Sequence, residues 1–359
     1  MLFSAIYIKT EAARESGKRV VFSQFPIHTS HFRSPTPPMS DPVPFRNRLT
    51  KNLRHWSRWA RRQGIECFRI YDRDLPEFPV AIDLYAGRPH VQAYETRWDA
   101  DEQTHDAWVD TVRKTVAELF GTPPGELAFK VRRRQRGTAQ YEATGRPPAP
   151  FVVQEGGLQF EVDLHRYLDT GLFLDHRRTR AMVRDQAKDR RLLNLFAYTG
   201  SFTVYAAAGG AAASLSLDLS NAYQEWTRRN LGLNGLDLPQ HRLERRDVMD
   251  WLEDSPRLGE RFDLIVLDPP SFSHSKAMQT TLDVQRDHPW MINRALGLLS
   301  PEGVLYFSNN RRGFRLYEGE LIPCHVEEIT KQTVPEDFRR HRPHRCWVIR
   351  RGSWKPGLK

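Results

Sequence analysis

Three aspartates in the second half of the chain each close a short strand-like run: Asp218 in "SLSLDLS", Asp247 in "HRLERRDVMDWL" and Asp268 in "DLIVLDPPSF". A carboxylate at the carboxyl end of a parallel strand sits where open α/β sheets hold their ligands. Asp218 could accept both hydroxyls of a ribose, a geometry shared by NAD and S-adenosylmethionine, or it could cap the helix that begins in "SNAYQEW". Asp247 could accept from an adenine amino group or cap the helix after it. Asp268 is followed by Pro269 and Pro270, which end the strand because neither donates a backbone hydrogen bond and both fix φ. Phe272 could then stack on a base or pack in the core. Upstream, "LNLFAYTGSFTV" puts Phe196, Thr199 and Gly200 at a strand–turn–helix junction. A glycine there lets the backbone approach a ligand, and the helix start presents free N–H groups. The segment is not G-x-G-x-x-G, so a diphosphate cradle is poorly supported.

These residues need a parallel sheet to hold them. From about His176 the chain alternates helices with apolar strands, "LLNLFAY", "AASLSLDL", "HRLERRD", "FDLIVLD" and "GVLYFSN", the rhythm of crossover connections. "HVEEITKQT" and "CWVIRR" follow with no room for a full helix between them and predict a closing antiparallel pair. The outline is α/β: a Rossmann-like, seven-stranded class I methyltransferase domain with a terminal hairpin. A smaller strand-rich α+β part precedes it. There "CFRIYD", "VAIDLYA" and "HVQAYE" read as strands, "AWVDTVRKTVAELFG" as a helix, and "FVVQEGGLQFEVDL" as a hairpin turning at Glu155–Gly157. The divisions fall at 1–44, a proline-rich, poorly ordered lead-in; 45–170, the basic helix plus the small RNA-binding or substrate domain; and 171–359, the methyltransferase domain.

The net charge of +10 over 359 residues favours a polyanionic partner. Two clusters carry it. "FRNRLTKNLRHWSRWARRQG" sets Leu49, Leu53, Trp56 and Ala60 on one helical stripe, with Arg54, Arg58, Arg61 and Arg62 largely elsewhere and Gly64 as a stop. "KVRRRQRG" brings Arg132, Arg133, Arg134 and Arg136 to the end of a strand. Either could be a solvated face; together they point to nucleic acid. Cys67, Cys324 and Cys346 lie far apart, which argues against disulfides, a zinc ribbon or an iron–sulfur cluster. His341 and His344 lack a third ligand nearby and are expected to be solvated, with no metal. No apolar run is long enough to span a bilayer and the opening residues do not make a signal peptide, so the expected location is the cytoplasm.

The segments "YLDTGLFLDHRRTR", "LLNLFAYTGSFTV", "LDLSNAYQEWTRRNLGLNGL", "DPPSFSHSKAM", "DVQRDH" and "FSNNRRGFRL", with the basic helix, resemble the RlmK-type methyltransferases from about Phe45 to Ile349. That family forms the C-terminal half of fused RlmKL enzymes. The resemblance implies S-adenosylmethionine as cofactor and guanine N7 of 23S rRNA, or of a large-subunit precursor, as substrate. It also implies that Phe196, Thr199, Gly200, Asp218, Asp247 and Asp268 contact the cofactor and that Asp268–Phe272 flanks the target base. Asp175 and Arg177 match a motif beside the cofactor's methionine end, where a carboxylate and a guanidinium could meet its charged groups; an interdomain ion pair is the alternative. The THUMP and guanine-N2 methyltransferase half of the fused enzymes has no counterpart here, so a separate partner could replace it.

Related cytosine-C5 enzymes carry a cysteine after the fifth strand, because C5 methylation needs a thiolate to attack the ring. Here the segment reads "LYFSNN", with Asn309 in that place. Guanine N7 has an in-plane lone pair and no proton to lose, so direct displacement suffices if Asp268, Phe272 and Asn309 or Asn310 align the base. A non-catalytic RNA-binding factor, or methylation of another base or position, are the competing readings.

Overall fold

Asp41 opens the described chain by capping a helix: its carboxylate accepts the Val43 N–H at 2.9 Å. A computed structural model describes residues 41–94, 102–132, 148–257, 259–273 and 281–352. Most of the lead-in (1–40) and Arg133, Arg134 and Arg136 lie outside them. The first helix, α1 (Pro42–Gln63), starts ahead of the expected Phe45 because prolines fit a first turn, where their missing N–H has no intrahelical partner to lose. It ends at Gly64, whose φ of 64° is left-handed. Its stripe of Phe45, Leu49 and Ala60 is buried, with Leu53, Trp56 and Trp59 partly so.

The stripe packs on β1 (Cys67–Asp72), β2 (Val80–Tyr85) and β3 (Arg88–Tyr94), and helix α2 (Glu102–Phe120) leads to β4 (Ala128–Arg132). The four strands form one sheet in chain order. The hairpin β5 (Phe151–Glu155) and β6 (Leu158–Val162) turns at Gly156–Gly157, as the spacing predicts.

Next come α3 (Arg177–Asp185), β7 (Arg191–Leu195), α4 (Ser201–Ala208), β8 (Ala213–Asp218), α5 (Asn221–Leu233), β9 (His241–Arg245), α6 (Val248–Asp254) and β10 (Phe262–Leu267). A two-stranded ribbon, β11 (Phe272–Ser273) and β12 (Leu282–Asp283), precedes α7 (Val284–Leu298) and β13 (Leu299–Asn309). The chain closes with β14 (Cys324–Glu328), the short α8 (Thr330–Thr333) and β15 (Arg345–Arg351). Seven strands make the main sheet in the order β14–β15–β13–β10–β7–β8–β9. The last five of these run parallel, while β15 is antiparallel to β13 and to β14. The expected doubly wound sheet with a closing hairpin is therefore what forms. In β10 every residue but Asp263 is buried, which is why its sequence is continuously apolar rather than alternating. Among the described residues no helix is long and apolar enough to cross a membrane.

The β5–β6 hairpin joins the two parts. It packs against α5, where Trp226 Nε1 donates to the Glu161 carbonyl at 3.0 Å and Asn230 accepts the Glu161 N–H at 2.9 Å. Its core also reaches Cys67, Tyr85 and Ala128 of the first sheet.

Candidate active site

The carboxyl ends of β7, β8, β10 and β13 surround a cavity of about 580 Å³, within the ~300–1,000 Å³ typical of small-molecule sites. It lies where the strand order reverses between β7 and β10, the crevice in which such sheets bind ligands. Asp218, Asp247, Asp268, Pro269, Pro270, Phe272, Phe196 and Asp175 all line it.

Asp218 is held by two backbone donors, Tyr198 N–H to Oδ2 and Ser220 N–H to Oδ1, both at 2.9 Å. Each oxygen keeps a lone pair for a ligand hydroxyl. Burial raises this carboxyl above its ordinary range, and the N–H groups of Ser220, Tyr198 and Leu219 pull it partly back. The helix cap is supplied instead by Ser220, whose Oγ accepts the Tyr223 N–H at 3.3 Å. Asp247 does both things foreseen for it: it caps α6 through Met249 N–H at 2.7 Å and lines the cavity. Phe196 and Tyr198 bring their rings to the wall with φ of 59° and 52°, a left-handed conformation that costs non-glycine residues about 1–3 kcal/mol. The Tyr198–Asp218 bond and the Ala197 N–H to Leu217 carbonyl bond (2.9 Å) hold that turn.

Asp268 accepts from Ser308 Oγ at 2.7 Å on Oδ1, and its Oδ2 lies 3.4 Å from His176 Nε2. Phe272 is 63% exposed, so core packing is not its role.

Several expected residues do other work. Thr199 is buried, donating to the Gly171 carbonyl at 2.6 Å, and does not line the cavity. Gly200 is required by a neighbouring helix: a Cβ there would lie 2.2 Å from Thr227 Cγ2, at a φ of 71°. Gly200→Ala is therefore expected to destabilise the fold by on the order of 3 kcal/mol, read as a lowered urea midpoint. Arg177 does not face the cavity. Its guanidinium bonds Asp337 at 3.3 and 3.2 Å and the Cys67 carbonyl at 2.8 Å, so the ion-pair alternative holds. Asn309 is buried, accepts the Arg311 N–H at 3.1 Å and is absent from the wall; Asn310 lines it instead and accepts from Ser271 Oγ at 2.6 Å.

His176, Arg180, Tyr198 and Tyr223 also line the cavity and were not anticipated. His176 and Arg180 are four residues apart, the spacing of one helical face, and that periodicity would have separated Arg180 from Arg177. Arg180 is fully buried and uses Nε and Nη2 on Glu155 Oε1, at 2.9 and 2.6 Å.

Asp175 meets His344, not Arg177: its Oδ2 lies 3.0 Å from His344 Nδ1. His344 is thus buried rather than solvated, with Nε2 3.1 Å from Thr333 Oγ1. Its ring stacks on His176 with centroids 4.3 Å apart and planes inclined by 12°. Lone pairs lying in two such near-parallel planes cannot converge on one ion at ~2.1 Å, so Asp175, His176 and His344 are not arranged as a metal-ligand set. Burial would raise the Asp175 carboxyl, but the imidazoles of His176 and His344 outweigh it and hold it below the carboxylate range. His176 is pushed below the ordinary 6.5 by burial and by His344, with Asp268 and Asp175 opposing. As pH falls below about 6.5 the unfolded chain takes up that proton before the folded chain does. Stability present above pH 6.5 should therefore decline towards pH 5.5. Urea titrations at pH 7.5 and 5.5 would show it, with a smaller decline in His176→Gln.

Arg54, Arg58, Arg61 and Arg62 are all exposed on α1. Arg132 ends β4.

The family model for S-adenosylmethionine-dependent methyltransferases matches residues 103–314. The chain is 50% identical over 340 residues to the ribosomal RNA large subunit methyltransferase K of Neisseria meningitidis, covering 95% of each. The chain belongs to this methyltransferase family. The K/L protein of Methylococcus capsulatus is 47% identical over 309 residues, spanning 85% of this chain but 42% of that longer protein. Among solved structures, SMU.776 complexed with SAH superposes with a TM-score of 0.67 over 86% of this chain and 82% of its own, at 24% identity. A methyltransferase from Streptococcus mutans gives 0.68 over 86% and 81%, at 23% identity. Those likenesses speak for the fold. The cofactor of the family is S-adenosylmethionine, and the cavity fits it: a carboxylate at the end of β8 held by backbone donors, aromatic walls, and a buried arginine in the lining.

Proposed function

We propose that the protein methylates N7 of a guanine in large-subunit (23S) ribosomal RNA or its precursor, in the cytoplasm, by direct displacement. The observation that carries this reading is Asn309 in the place where a C5 methyltransferase needs its thiolate. Of the cysteines, Cys67 and Cys346 are buried and none of the three lines the cavity. Among the described residues the site offers aligned polar groups and an aromatic face but no thiol to attack a pyrimidine ring, and N7 needs none. The relatives named for large-subunit rRNA supply the substrate class.

When bound, S-adenosylmethionine supplies a methyl carbon on a cationic sulfur. Asp218 takes the ribose hydroxyls, Asp247 the adenine edge, and Arg180 the carboxylate of the methionine part. Asp268, fixed by Ser308, accepts from a guanine N–H, and its negative charge favours the cationic base that N7 alkylation produces. Phe272 stacks on the base, and Asn310 bonds to its edge. A base inside a duplex has to be exposed first. The arginines of α1 and those following β4 engage the phosphate backbone.

The test is to incubate the protein with labelled S-adenosylmethionine and 23S rRNA lacking modifications, then identify the labelled nucleoside by mass spectrometry. Label in 7-methylguanosine supports the reading. Label in 5-methylcytidine overturns it, and absence of cofactor binding would replace it with a non-catalytic RNA-binding role.

A further inference from the structure

We infer that Arg312 is a phosphate anchor for the nucleotide whose base stacks on Phe272, so that the rim of the cavity grips one nucleotide by base and backbone together. This deepens the rRNA reading and rests on it. Arg312 stands at the corner of a tight turn two residues beyond Asn310. The Phe314 N–H to Arg311 carbonyl bond at 3.2 Å closes the turn, and Gly313, with φ of 75°, makes its left-handed corner.

That turn is pinned on every side. Phe314 is buried and packs edge-on against His288, with ring centroids 4.7 Å apart, and beside Trp347 at 5.5 Å. The Gln285 side chain grips the Arg315 backbone twice, accepting its N–H at 3.0 Å and donating to its carbonyl at 2.8 Å. Arg311 pairs with Asp283, which is also the residue facing Phe272 in the β11–β12 ribbon. A second tie, Ser271 Oγ to Asn310 at 2.6 Å, joins the same two segments. The ion pair therefore fixes the Arg312 turn to the rung on which Phe272 stands.

Arg312 itself is exposed and has no partner among the described residues. Elsewhere on the surface, Arg46, Arg191, Arg229, Arg242 and Arg345 are paired with glutamates. An unpaired guanidinium on a rigid turn, tied to a 63% exposed phenylalanine, suits a nucleotide. The ring takes the base and the guanidinium the phosphate, with little ordering entropy left to lose.

The experiment measures filter binding of in vitro transcribed 23S rRNA across a salt series, together with methylation kinetics and cofactor affinity. Arg312→Ala, Arg312→Lys and, as a control on the amino-terminal side of β10 away from the cavity at the strands' carboxyl ends, Arg257→Ala are compared with the wild type. Arg312→Ala is expected to weaken RNA binding and raise KM for RNA about 5- to 20-fold. The slope of log affinity against log salt should flatten by about one phosphate contact. Arg312→Lys should keep that slope, and cofactor affinity should not change in any variant. A wild-type slope in Arg312→Ala, or loss of cofactor affinity with RNA affinity, overturns the anchor. If the wild type binds the RNA with an Arg312-dependent slope but labels a base other than guanine, the anchor stands and the N7 reading falls. If it does not bind the RNA, both fall.

Discussion

Replacing Asp268 with alanine is expected to slow the single-turnover methyl transfer by on the order of 10²–10³-fold while S-adenosylmethionine affinity changes less than about threefold. The carboxylate is pre-set: Ser308 holds Oδ1 at 2.7 Å and His176 flanks Oδ2 at 3.4 Å, so no reorganisation is needed when charge develops on the base. A preorganised charge of that kind acts on the transition state more than on the bound ground state. Asp218→Ala should show the reverse, a weakened cofactor with a largely retained rate at saturation, because its two oxygens sit at the end of β8 on the cofactor side. Calorimetry with single-turnover kinetics separates the two effects. Equal loss of affinity and rate in either variant would defeat the division of roles.

The second large effect concerns stability. The Asp337 side chain is completely buried and accepts from both Arg177 nitrogens and from the Arg69 backbone N–H at 3.0 Å. Asp337→Ala would leave the Arg177 guanidinium with only the Glu155 carboxylate at 3.7 Å and the Cys67 carbonyl, and a buried N–H without its acceptor, which is expected to cost about 3–5 kcal/mol. Against a total stability of about 5–15 kcal/mol, that lowers the urea midpoint sharply and reduces soluble yield. Replacing Arg177 and Asp337 together with apolar residues of similar volume should recover part of the loss, since a paired burial is roughly neutral but a broken one is not. A midpoint unmoved by Asp337→Ala would show the pair to be dispensable.

These two sites also show how far the sequence could be read. Asp268 was legible because a buried parallel strand ends at a proline pair, and both features are local. Asp218 and Asp247 were legible because each closes a strand-like run directly before a helical one, although whether Asp247 caps or lines the cavity was not a real choice, since one carboxylate does both. Arg177 was not legible: its partner lies 160 residues away, and nothing in "DHRRTR" says which arginine meets which acid. His344 and Asp175, 169 residues apart, pose the same difficulty. Gly200 looked like a ligand-facing turn because a strand–Gly–helix junction is the same string whether the space it leaves is filled by a cofactor or by Thr227. Phe272 could not be placed from its neighbours, because exposure is a property of what folds over a residue. The strands themselves were easiest, since burial on both faces writes a continuous apolar run.

The Asp337 carboxylate has one consequence for protein engineering. It binds the backbone of Arg69 in the first sheet and the side chain of Arg177 at the start of α3, and it is itself contributed from the stretch before β15. Three distant segments thus share one anion. A chimera that swaps the strand-rich part for another RNA-recognition module would keep the Arg177–Asp337 pair but would remove the Arg69 N–H and the Cys67 carbonyl that complete it, and would strip the buried Arg180 of its Glu155 carboxylate, unless the replacement supplies equivalents. The two parts are therefore interchangeable only as a matched pair, and a cut near residue 170 should yield fragments that fail to behave as independent modules.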